Sequence, residues 1–255
     1  MQLADTHTHL YLPEFDHDRD EMVGRAVASG VTRLLMPNID LHSVDAMMHA
    51  ADKYKGICYP MIGLHPTSVD PDYSEQLDKL EEIFTSNKFI AIGEIGIDLY
   101  WDVSHLKEQT EAFRRQVAFA VNKDLPVVIH SRKSFHEIIN VLEEFRSKKL
   151  KGVFHAFSGD VKDAEKAVSM GFTIGIGGPL TYKNSGLAEI VKEVGAENIV
   201  LETDSPYLTP APHRGKRNES SYICIINKKL AEILGKTEEE TAFVTYRNSC
   251  RLFNI

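Results

Sequence analysis

The sequence contains few of the features that mark secreted or membrane-spanning proteins. It has only three cysteines, Cys58, Cys224 and Cys250, and no C-x-x-C spacing. Such usage is typical of reduced thiols and excludes a disulfide framework. The first five residues lack the basic segment and apolar core of a secretory signal, and no apolar run reaches the roughly 18 residues of a membrane span. We therefore expect a cytoplasmic protein without membrane contacts.

An excess of positive charge is also missing. The sequence has 29 lysines and arginines against 37 aspartates and glutamates, which gives a formal net charge of −8. A surface of that sign does not attract nucleic acid as a whole. A polyanionic substrate would therefore need a binding site with locally positive charge, which bound divalent ions could supply. No feature of the sequence indicates an obligate protein partner.

Low-complexity linkers, composition breaks and repeats are absent, so one domain over residues 1–255 is the simplest organisation. Short β-rich runs do alternate with longer amphipathic runs. The predicted strands are 2–8, 31–36, 57–63, 89–95, 126–130, 152–156, 172–177 and 198–203. The predicted helices are 16–29, 40–53, 74–87, 105–123, 133–147, 160–170, 184–195, 219–235 and 237–252, and Ser74, Asp160 and Thr237 are predicted to cap three of them.

This alternation predicts an α/β fold, a single (β/α)8 TIM-type barrel with extra C-terminal helices. An open doubly wound sheet is the alternative. It is the weaker one, because polar residues recur at many strand ends instead of clustering at one switch point.

What the chain does have is a set of histidines and acids at the ends of apolar strands. A buried imidazole or carboxylate is costly unless something pairs it. A set with the same placement therefore indicates one common centre, which a pair of divalent metal ions would neutralise. The residues are His7, His9, His65, Glu94, His130, His155 and Asp204.

The first two histidines lie two residues apart on a predicted strand, so both point to one face. They stand at the carboxyl end of that strand, where barrel active sites assemble. Asp5 has the same phase one step lower and could orient a ligand or the strand end.

Three of the other residues fit a second ion. Glu94 is flanked by Gly93 and Gly96, which allow close approach, and its two oxygens could each take one cation. His130 and His155 end consecutive strands and could share an ion with Glu94. Asp204 ends the eighth strand, beside the first in a closed barrel, and could also take a proton from a water.

At these positions the chain resembles the TatD-type deoxyribonucleases of the amidohydrolase superfamily. The matching segments run through most of the chain: Asp5-Thr6-His7-Thr8-His9, Gly63-Leu64-His65-Pro66, Gly93-Glu94-Ile95-Gly96-Ile97-Asp98, Ile129-His130-Ser131, His155-Ala156-Phe157-Ser158-Gly159 and Glu202-Thr203-Asp204-Ser205-Pro206-Tyr207-Leu208.

The resemblance implies a metal-dependent phosphodiesterase acting on DNA. It implies one ion on His7, His9, Glu94 and Asp204, and a second ion on Glu94, His130 and His155. The chain departs from the usual pattern at Ala156, where the family often has cysteine, and at Ser220, where it often has proline. The second change could alter substrate fit near the mouth.

Other residues have two readings each. His65 could hydrogen-bond a phosphate or simply cap a turn before Pro66. Glu202 lies one layer below Asp204 on the predicted strand and is suited to holding a metal ligand or a water in place. We place Asp204, Glu94, His65 and Glu202 in the catalytic set.

The loop after the eighth strand is basic and holds His213, Arg214, Lys216 and Arg217. Its position after a strand suits contacts with phosphate groups. The alternative is that these charged residues simply form a solvent-exposed surface, as charged segments usually do. We expect His65, Arg214, Lys216 and Arg217 to bind substrate. The aromatic residues Tyr100, Trp101, Tyr182 and Tyr207 could stack unpaired bases or pack over helix tops.

The predicted function is an exonuclease-type deoxyribonuclease that cleaves single strands or DNA ends. Two divalent ions, Zn²⁺, Mn²⁺ or Mg²⁺, would activate a water. One alternative is a small-molecule hydrolase of the same superfamily, acting on an amide, lactone or phosphoester. The other is a barrel that retains metal but only binds its partner.

Overall fold

The computed structural model describes residues 1–100 and 103–255, so Trp101 lies outside the described residues. The strands are β1 (Leu3–Asp5), β2 (Val31–Pro37), β3 (Cys58–Met61), β4 (Ile92–Asp98), β5 (Val127–Arg132), β6 (Gly152–Phe154), β7 (Phe172–Ile176) and β8 (Ile199–Leu201). The α-helices are α1 (Arg19–Ala28), α2 (Val44–Lys53), α3 (Tyr73–Ser86), α4 (Leu106–Lys123), α5 (Phe135–Glu144), α6 (Val161–Ser169), α7 (Leu187–Val194), α8 (Ile223–Leu234) and α9 (Glu238–Phe253).

The strands form two parallel ladders, β1-β2-β3 and β4-β5-β6-β7-β8. Two seams join the ladders into a ring, one between Ile62 and Ile92 and the other between Thr8 and Ser205. At the first seam the amide of Gly93 donates to the carbonyl of Ile62 at 2.8 Å. The sheet is thus a closed TIM-type α/β barrel, as predicted, and the open doubly wound alternative is wrong.

Alternation along the strands divides the apolar residues between two packing regions. One small cluster takes one residue each from β2, β3, β5, β6 and β8, namely Leu35, Met61, Val128, Val153 and Val200. Successive strand residues point to opposite faces, so this cluster fills the barrel interior while its strand neighbours pack against the helices. Leu252 and Phe253 at the end of α9 pack on the same cluster, which explains why an extra C-terminal helix is needed.

The predicted boundaries differ from the structure chiefly at the strand ends. The strands β1, β6 and β8 end two or more residues earlier than predicted, and β4 begins at Ile92 instead of residue 89. The predicted cap Ser74 is wrong, because α3 begins at Tyr73. Asp160 and Thr237 are confirmed as caps, and each forms a reciprocal capping box.

None of the helices in the described part of the chain has the length and apolar content needed to span a bilayer. The cytoplasmic location stays a prediction.

Candidate metal centre

Segments that directly follow the strands converge at the carboxyl end of the barrel. His7 and His9 lie beyond β1 and not within it, which corrects the prediction that both belong to the strand. Their Nε2 atoms nevertheless approach to 3.2 Å. Asp5 explains the turn: its carboxylate accepts the amide of His7 at 3.3 Å and the amide and hydroxyl of Thr203 at 2.9 and 2.6 Å. Asp5 thus joins the ends of β1 and β8, and its burial raises its pKa to about 7 against these hydrogen bonds.

Glu94 lies at the middle of the cluster, and its two oxygens face different histidines. Its Oε2 is 3.0 Å from His7 Nε2 and 3.8 Å from His9 Nε2. Its Oε1 is 3.0 Å from His130 Nδ1 and 3.6 Å from His155 Nε2. One carboxylate therefore serves two sets of imidazole nitrogens, each with its own oxygen.

Asp204 completes the first set. Its Oδ1 lies 3.7 Å from His7 Nε2 and 3.5 Å from His9 Nε2, and 3.9 Å from His155 Nε2. Asp204 has a left-handed backbone, with φ of 57°, and its amide donates to the carbonyl of His7 at 2.9 Å. Strain of this kind persists where surrounding contacts hold it, often at functional sites.

The hydrogen bonds of His9 leave its Nε2 free to ligate. Its Nδ1 is 3.0 Å from the hydroxyl of Tyr11, and that hydroxyl donates to the carbonyl of Pro37 at 2.6 Å. Because the Tyr11 proton is committed to Pro37, His9 must be the donor through Nδ1. In the neutral ring the lone pair is then on Nε2, which faces Glu94 and Asp204.

Carboxylates determine which ring nitrogen two further histidines turn toward the cluster. Asp98 Oδ2 lies 2.9 Å from His130 Nε2, so the His130 Nδ1 lone pair faces Glu94. Glu202 Oε1 lies 3.1 Å from His155 Nδ1, an ion-pair contact outside hydrogen-bond geometry, and the opposite nitrogen, Nε2, faces Glu94. Glu202 also accepts the amide of Ala156 at 2.5 Å. Carboxylate partners of this kind fix the tautomer and ring orientation of metal-binding histidines.

His65 differs from these four histidines. Its Nδ1 accepts the backbone amide of Thr67 at 3.1 Å, so the proton of the neutral ring is on Nε2. That Nε2 lies 3.4 Å from Glu94 Oε1 and 3.3 Å from His130 Nδ1. A protonated nitrogen donates hydrogen bonds and does not ligate a cation. The two roles predicted for His65 therefore involve different ring nitrogens. Nδ1 caps the turn that begins at Pro66, whereas Nε2 faces the cluster.

The pKa directions describe a buried, tightly coupled centre. Burial acts to raise the pKa of Glu94, but electrostatic interactions with the surrounding histidines outweigh burial and hold that pKa well below its usual value. The pKa of the Asp204 carboxyl is also lowered: burial acts to raise it, but the interaction with His155 and its neighbours outweighs burial. Burial lowers the pKa of His7 and of His65. Ionised carboxylates and neutral imidazoles are the forms that bind metal ions.

The pKa values of two histidines are raised in the metal-free protein. Burial opposes the charge on His155, yet Glu202, Glu94 and Asp204 raise its pKa to about 10. Burial likewise opposes the charge on His130, but hydrogen bonds to Asp98 and Glu94 raise its pKa. Metal binding would therefore release protons from this site.

The donor set fits divalent ions. Among the described residues, three groups bring their ligand atoms within 4.8 Å of one another. They are His7, His9 and Glu94; His7, His155 and Asp204; and His65, Glu94 and His130. The third group is a ligand set by distance only, since its His65 Nε2 carries the proton in the tautomer described above. Mixed imidazole and carboxylate shells suit several first-row ions. A buried cluster of this composition would be costly without a cation to neutralise it.

The cluster forms the floor of a cavity of about 800 Å³, which is within the usual range for ligand sites. Tyr182 and Tyr207 are in its wall, and Tyr207 is 48% exposed. Arg214 is not among the cavity residues, but its guanidinium carbon lies 4.2 Å from the ring centre of Tyr182, which is. The exposed Lys216 is not among the cavity residues.

Arg217 does not reach the cavity either. Its guanidinium donates to Asp18 through two hydrogen bonds of 2.7 Å and to the carbonyl of Glu14 at 2.6 Å. It also lies 4.5 Å from the ring centre of Phe15. These contacts fasten the loop after β8 to the region before α1. Ser220 is fully buried and does not line the cavity, so it offers no direct contact to a substrate there, and its effect on substrate fit stays a prediction.

Two residues of the centre were missed in the sequence reasoning. Asp98 lies four residues after Glu94 in β4, so the two-residue period of a strand puts both side chains on one face. Tyr11 follows His9 by two residues, and its role depends on the distant carbonyl of Pro37, which no local pattern reveals.

Comparison with known proteins assigns the family. The model described as "TatD related DNase" matches residues 4–254. The chain is 37% identical, over 99% of both chains, to "Uncharacterized metal-dependent hydrolase YabD" of Bacillus subtilis. It is 32% identical to "3'-5' ssDNA/RNA exonuclease TatD" of Cronobacter sakazakii, covering 94% of this chain and 93% of that one. The crystal structure of YjjV, a TatD homologue from Escherichia coli K12, superposes with a TM-score of 0.93 at 28% identity, covering 99% of this chain and 98% of that one. The chain therefore belongs to the TatD family of metal-dependent hydrolases.

Proposed function

We propose that this protein is a two-metal deoxyribonuclease of the exonuclease type, acting on single-stranded DNA or on DNA ends. The observation that carries the proposal is the position of Glu94, whose two oxygens face separate sets of histidines at the floor of an open cavity. Such a bridge suits two ions close together, the arrangement used in many phosphodiester-cleaving enzymes.

His7, His9, Glu94 and Asp204 would hold one ion, and Glu94, His130 and His155 the other. Zn²⁺, Mn²⁺ and Mg²⁺ are the candidates, because the donor set mixes nitrogen and carboxylate ligands. Bound ions would supply Lewis acidity, which lowers the pKa of a water and stabilises negative charge on the phosphate.

The side chains of the protein supply the remaining steps. Asp204, at the cavity floor and ionised, accepts or positions the proton of the attacking water. His65 would donate from Nε2–H to a phosphate oxygen; the contact of its Nδ1 with the Thr67 amide supports this role. Glu202 holds His155 in the correct orientation.

Substrate recognition rests on the rim. Arg214, on the Tyr182 ring, offers a positive charge for a backbone phosphate, and the exposed Tyr207 offers a face for an unpaired base. The C. sakazakii relative is named a 3'-5' ssDNA/RNA exonuclease, which supports a single-stranded substrate. Contacts from Lys216 and Arg217 are not part of this proposal, because neither reaches the cavity.

The test is nucleotide release from end-labelled single-stranded DNA by EDTA-stripped protein, with Mg²⁺, Mn²⁺ or Zn²⁺ added back. We expect one of these ions to restore digestion and Asp204→Asn to abolish it. Asp72→Asn is the matched control, because Asp72 is exposed and its carboxylate makes no hydrogen bond within the described residues. Turnover of a small ester or lactam without nucleotide release would instead favour a small-molecule hydrolase. Tight DNA binding without cleavage in any metal would favour a binding protein.

A further inference from the structure

A second cavity adjoins the one above the metal centre. Its volume is about 470 Å³, and it lies between the loops that follow β5 and β6. The two cavities share five wall residues, Ser131, Arg132, His155, Phe157 and Ser158. A molecule whose reacting group lies at the cluster can therefore extend past His155 into this second space.

The β5 side of the second cavity is cationic. The guanidinium carbon of Arg132 lies 3.9 Å, and Nζ of Lys133 lies 4.9 Å, from the ring centre of Tyr100. Two positive groups are thus gathered at one ring that is 47% exposed. Within the described part of the chain, no carboxylate forms an ion pair with Lys133. Arginine and lysine side chains are the usual protein contacts of backbone phosphates, so this wall suits a phosphate group.

The backbone holds this pair in place. Lys133 has a left-handed conformation, with φ of 57°. The hydroxyl of Ser134 accepts the amide of Arg132 at 3.1 Å and donates to the carbonyl of Ile97 at 2.5 Å. Helix α5 begins directly after Ser134, so its first amides add positive potential on the same side. Among the described wall residues the acidic one is Asp163, and its carboxylate accepts the amide of Asp160 at the start of α6.

We propose that this second cavity is a subsite for the nucleotide adjacent to the scissile bond, with its phosphate against Arg132 and Lys133. The proposal rests on the proposed function for the scissile position and adds a reason for substrate choice. Phosphate contacts fix the register of a strand without reading its sequence. An oligonucleotide would occupy both cavities, whereas a small phosphodiester would occupy only the first.

The variant Lys133→Asn tests the subsite, because asparagine tolerates the left-handed backbone that position 133 requires. Lys149→Asn is the control, since Lys149 is equally charged and exposed but lies before β6, at the other end of the barrel. The measured quantity is kcat/KM for a single-stranded oligonucleotide divided by kcat/KM for bis(4-nitrophenyl) phosphate. We expect Lys133→Asn to lower this ratio about tenfold through the oligonucleotide KM, as the loss of one charged contact would, and Lys149→Asn to leave it unchanged.

Binding provides a second readout that does not need turnover. Fluorescein-labelled oligothymidylate is titrated by anisotropy into Asp204→Asn protein, with and without Lys133→Asn, at several salt concentrations. One lost phosphate contact reduces the slope of log K against log salt by about 0.7 for a single strand. We expect this reduction from Lys133→Asn and no change from Lys149→Asn.

The outcomes separate the two proposals. If the enzyme cleaves DNA but Lys133→Asn alters neither the ratio nor the slope, the subsite is wrong and the nuclease function stands. If DNA is bound with a slope that depends on Lys133 but is never cleaved, the subsite stands and the nuclease function is wrong. If DNA is neither bound nor cleaved, both are wrong.

Discussion

Truncation of two arginines of the same loop, three residues apart in sequence, is expected to affect different properties of the protein. Arg217 is held by Asp18, by the carbonyl of Glu14 and by the ring of Phe15. Arg214 contacts the Tyr182 ring at the cavity. We expect Arg217→Ala to lower the free energy of unfolding, and Arg214→Ala to weaken DNA binding.

The size of the Arg217 effect follows from its contacts. Hydrogen bonds to a charged partner contribute about 1.5–3 kcal/mol when buried, but exposed ion pairs contribute only about 0–1 kcal/mol. The side chains of Arg217 and Asp18 are each 31% exposed, which places the pair between these limits. With about 0.5 kcal/mol from the ring contact, Arg217→Ala should cost about 1.5–2 kcal/mol. Arg214→Ala should cost about 0.5 kcal/mol, since it loses a ring contact alone.

The pH dependence gives this prediction a second signature. The hydrogen bonds from Arg217, and to a lesser degree those from Arg25, lower the pKa of Asp18 to about 2. A carboxyl whose folded pKa is depressed contributes stability above its unfolded pKa, near 4, and loses it as the pH falls through the folded value. The difference between wild type and Arg217→Ala should therefore be constant above about pH 5 and shrink between about pH 4 and pH 2.

Urea denaturation of metal-free protein measures the stability, and the KM for single-stranded DNA measures the contact with substrate. The reasoning would be refuted by an Arg217→Ala variant that unfolds at the wild-type urea concentration while its KM rises as much as that of Arg214→Ala. That result would return Arg217 to the substrate-binding set.

Three other predictions follow from the centre and its strands. Asp98→Asn should weaken Zn²⁺ binding about 10- to 100-fold in isothermal titration, because it removes the carboxylate that orients His130; unchanged affinity would contradict that role. A saturating divalent ion, at about 100 times its Kd, should raise the free energy of unfolding by about 2.7 kcal/mol, and Glu94→Gln should abolish most of this gain in thermal melts. In urea denaturation, Gly96→Ala should destabilise the protein by more than about 3 kcal/mol, because the added Cβ would lie 1.9 Å from the carbonyl oxygen of His130. The control is Gly56→Ala. Gly56 also has a positive φ but open space around its Cβ, so this variant should cost only about 1–2 kcal/mol.

The architecture could be predicted from the sequence because its signals are local. Strand and helix periodicities alternate along the chain, and each polar residue of the centre follows an apolar run. That pattern indicates that residues such as His130 and Asp204 meet, since the carboxyl ends of barrel strands share one face. It depends on strand order alone and tolerates boundary errors of a few residues, such as the late start of β4.

What sequence could not supply was the set of partners of each side chain. The position of Arg217, opposite Asp18, depends on how the loop after β8 folds back across 199 residues of chain. The pairing of His9 with Tyr11 matters only because Pro37 takes the hydroxyl proton. Charge and motif position made Arg214 and Arg217 look equivalent, and only tertiary contacts distinguish them.

The two seams of the barrel give the metal centre a mechanical role. Each seam is held by an isolated bridge where other neighbouring strands share a full ladder. His7 and His9 follow the three-stranded ladder, whereas Glu94 and Asp204 belong to the five-stranded one or follow it. An ion on these four residues would connect the two ladders across both seams. The amides of Thr6 and Gly93 donate hydrogen bonds that cross the two seams. On metal removal, hydrogen exchange at these two amides should therefore accelerate before exchange in the rest of the sheet does. Loss of activity and loosening of the barrel would then be one event.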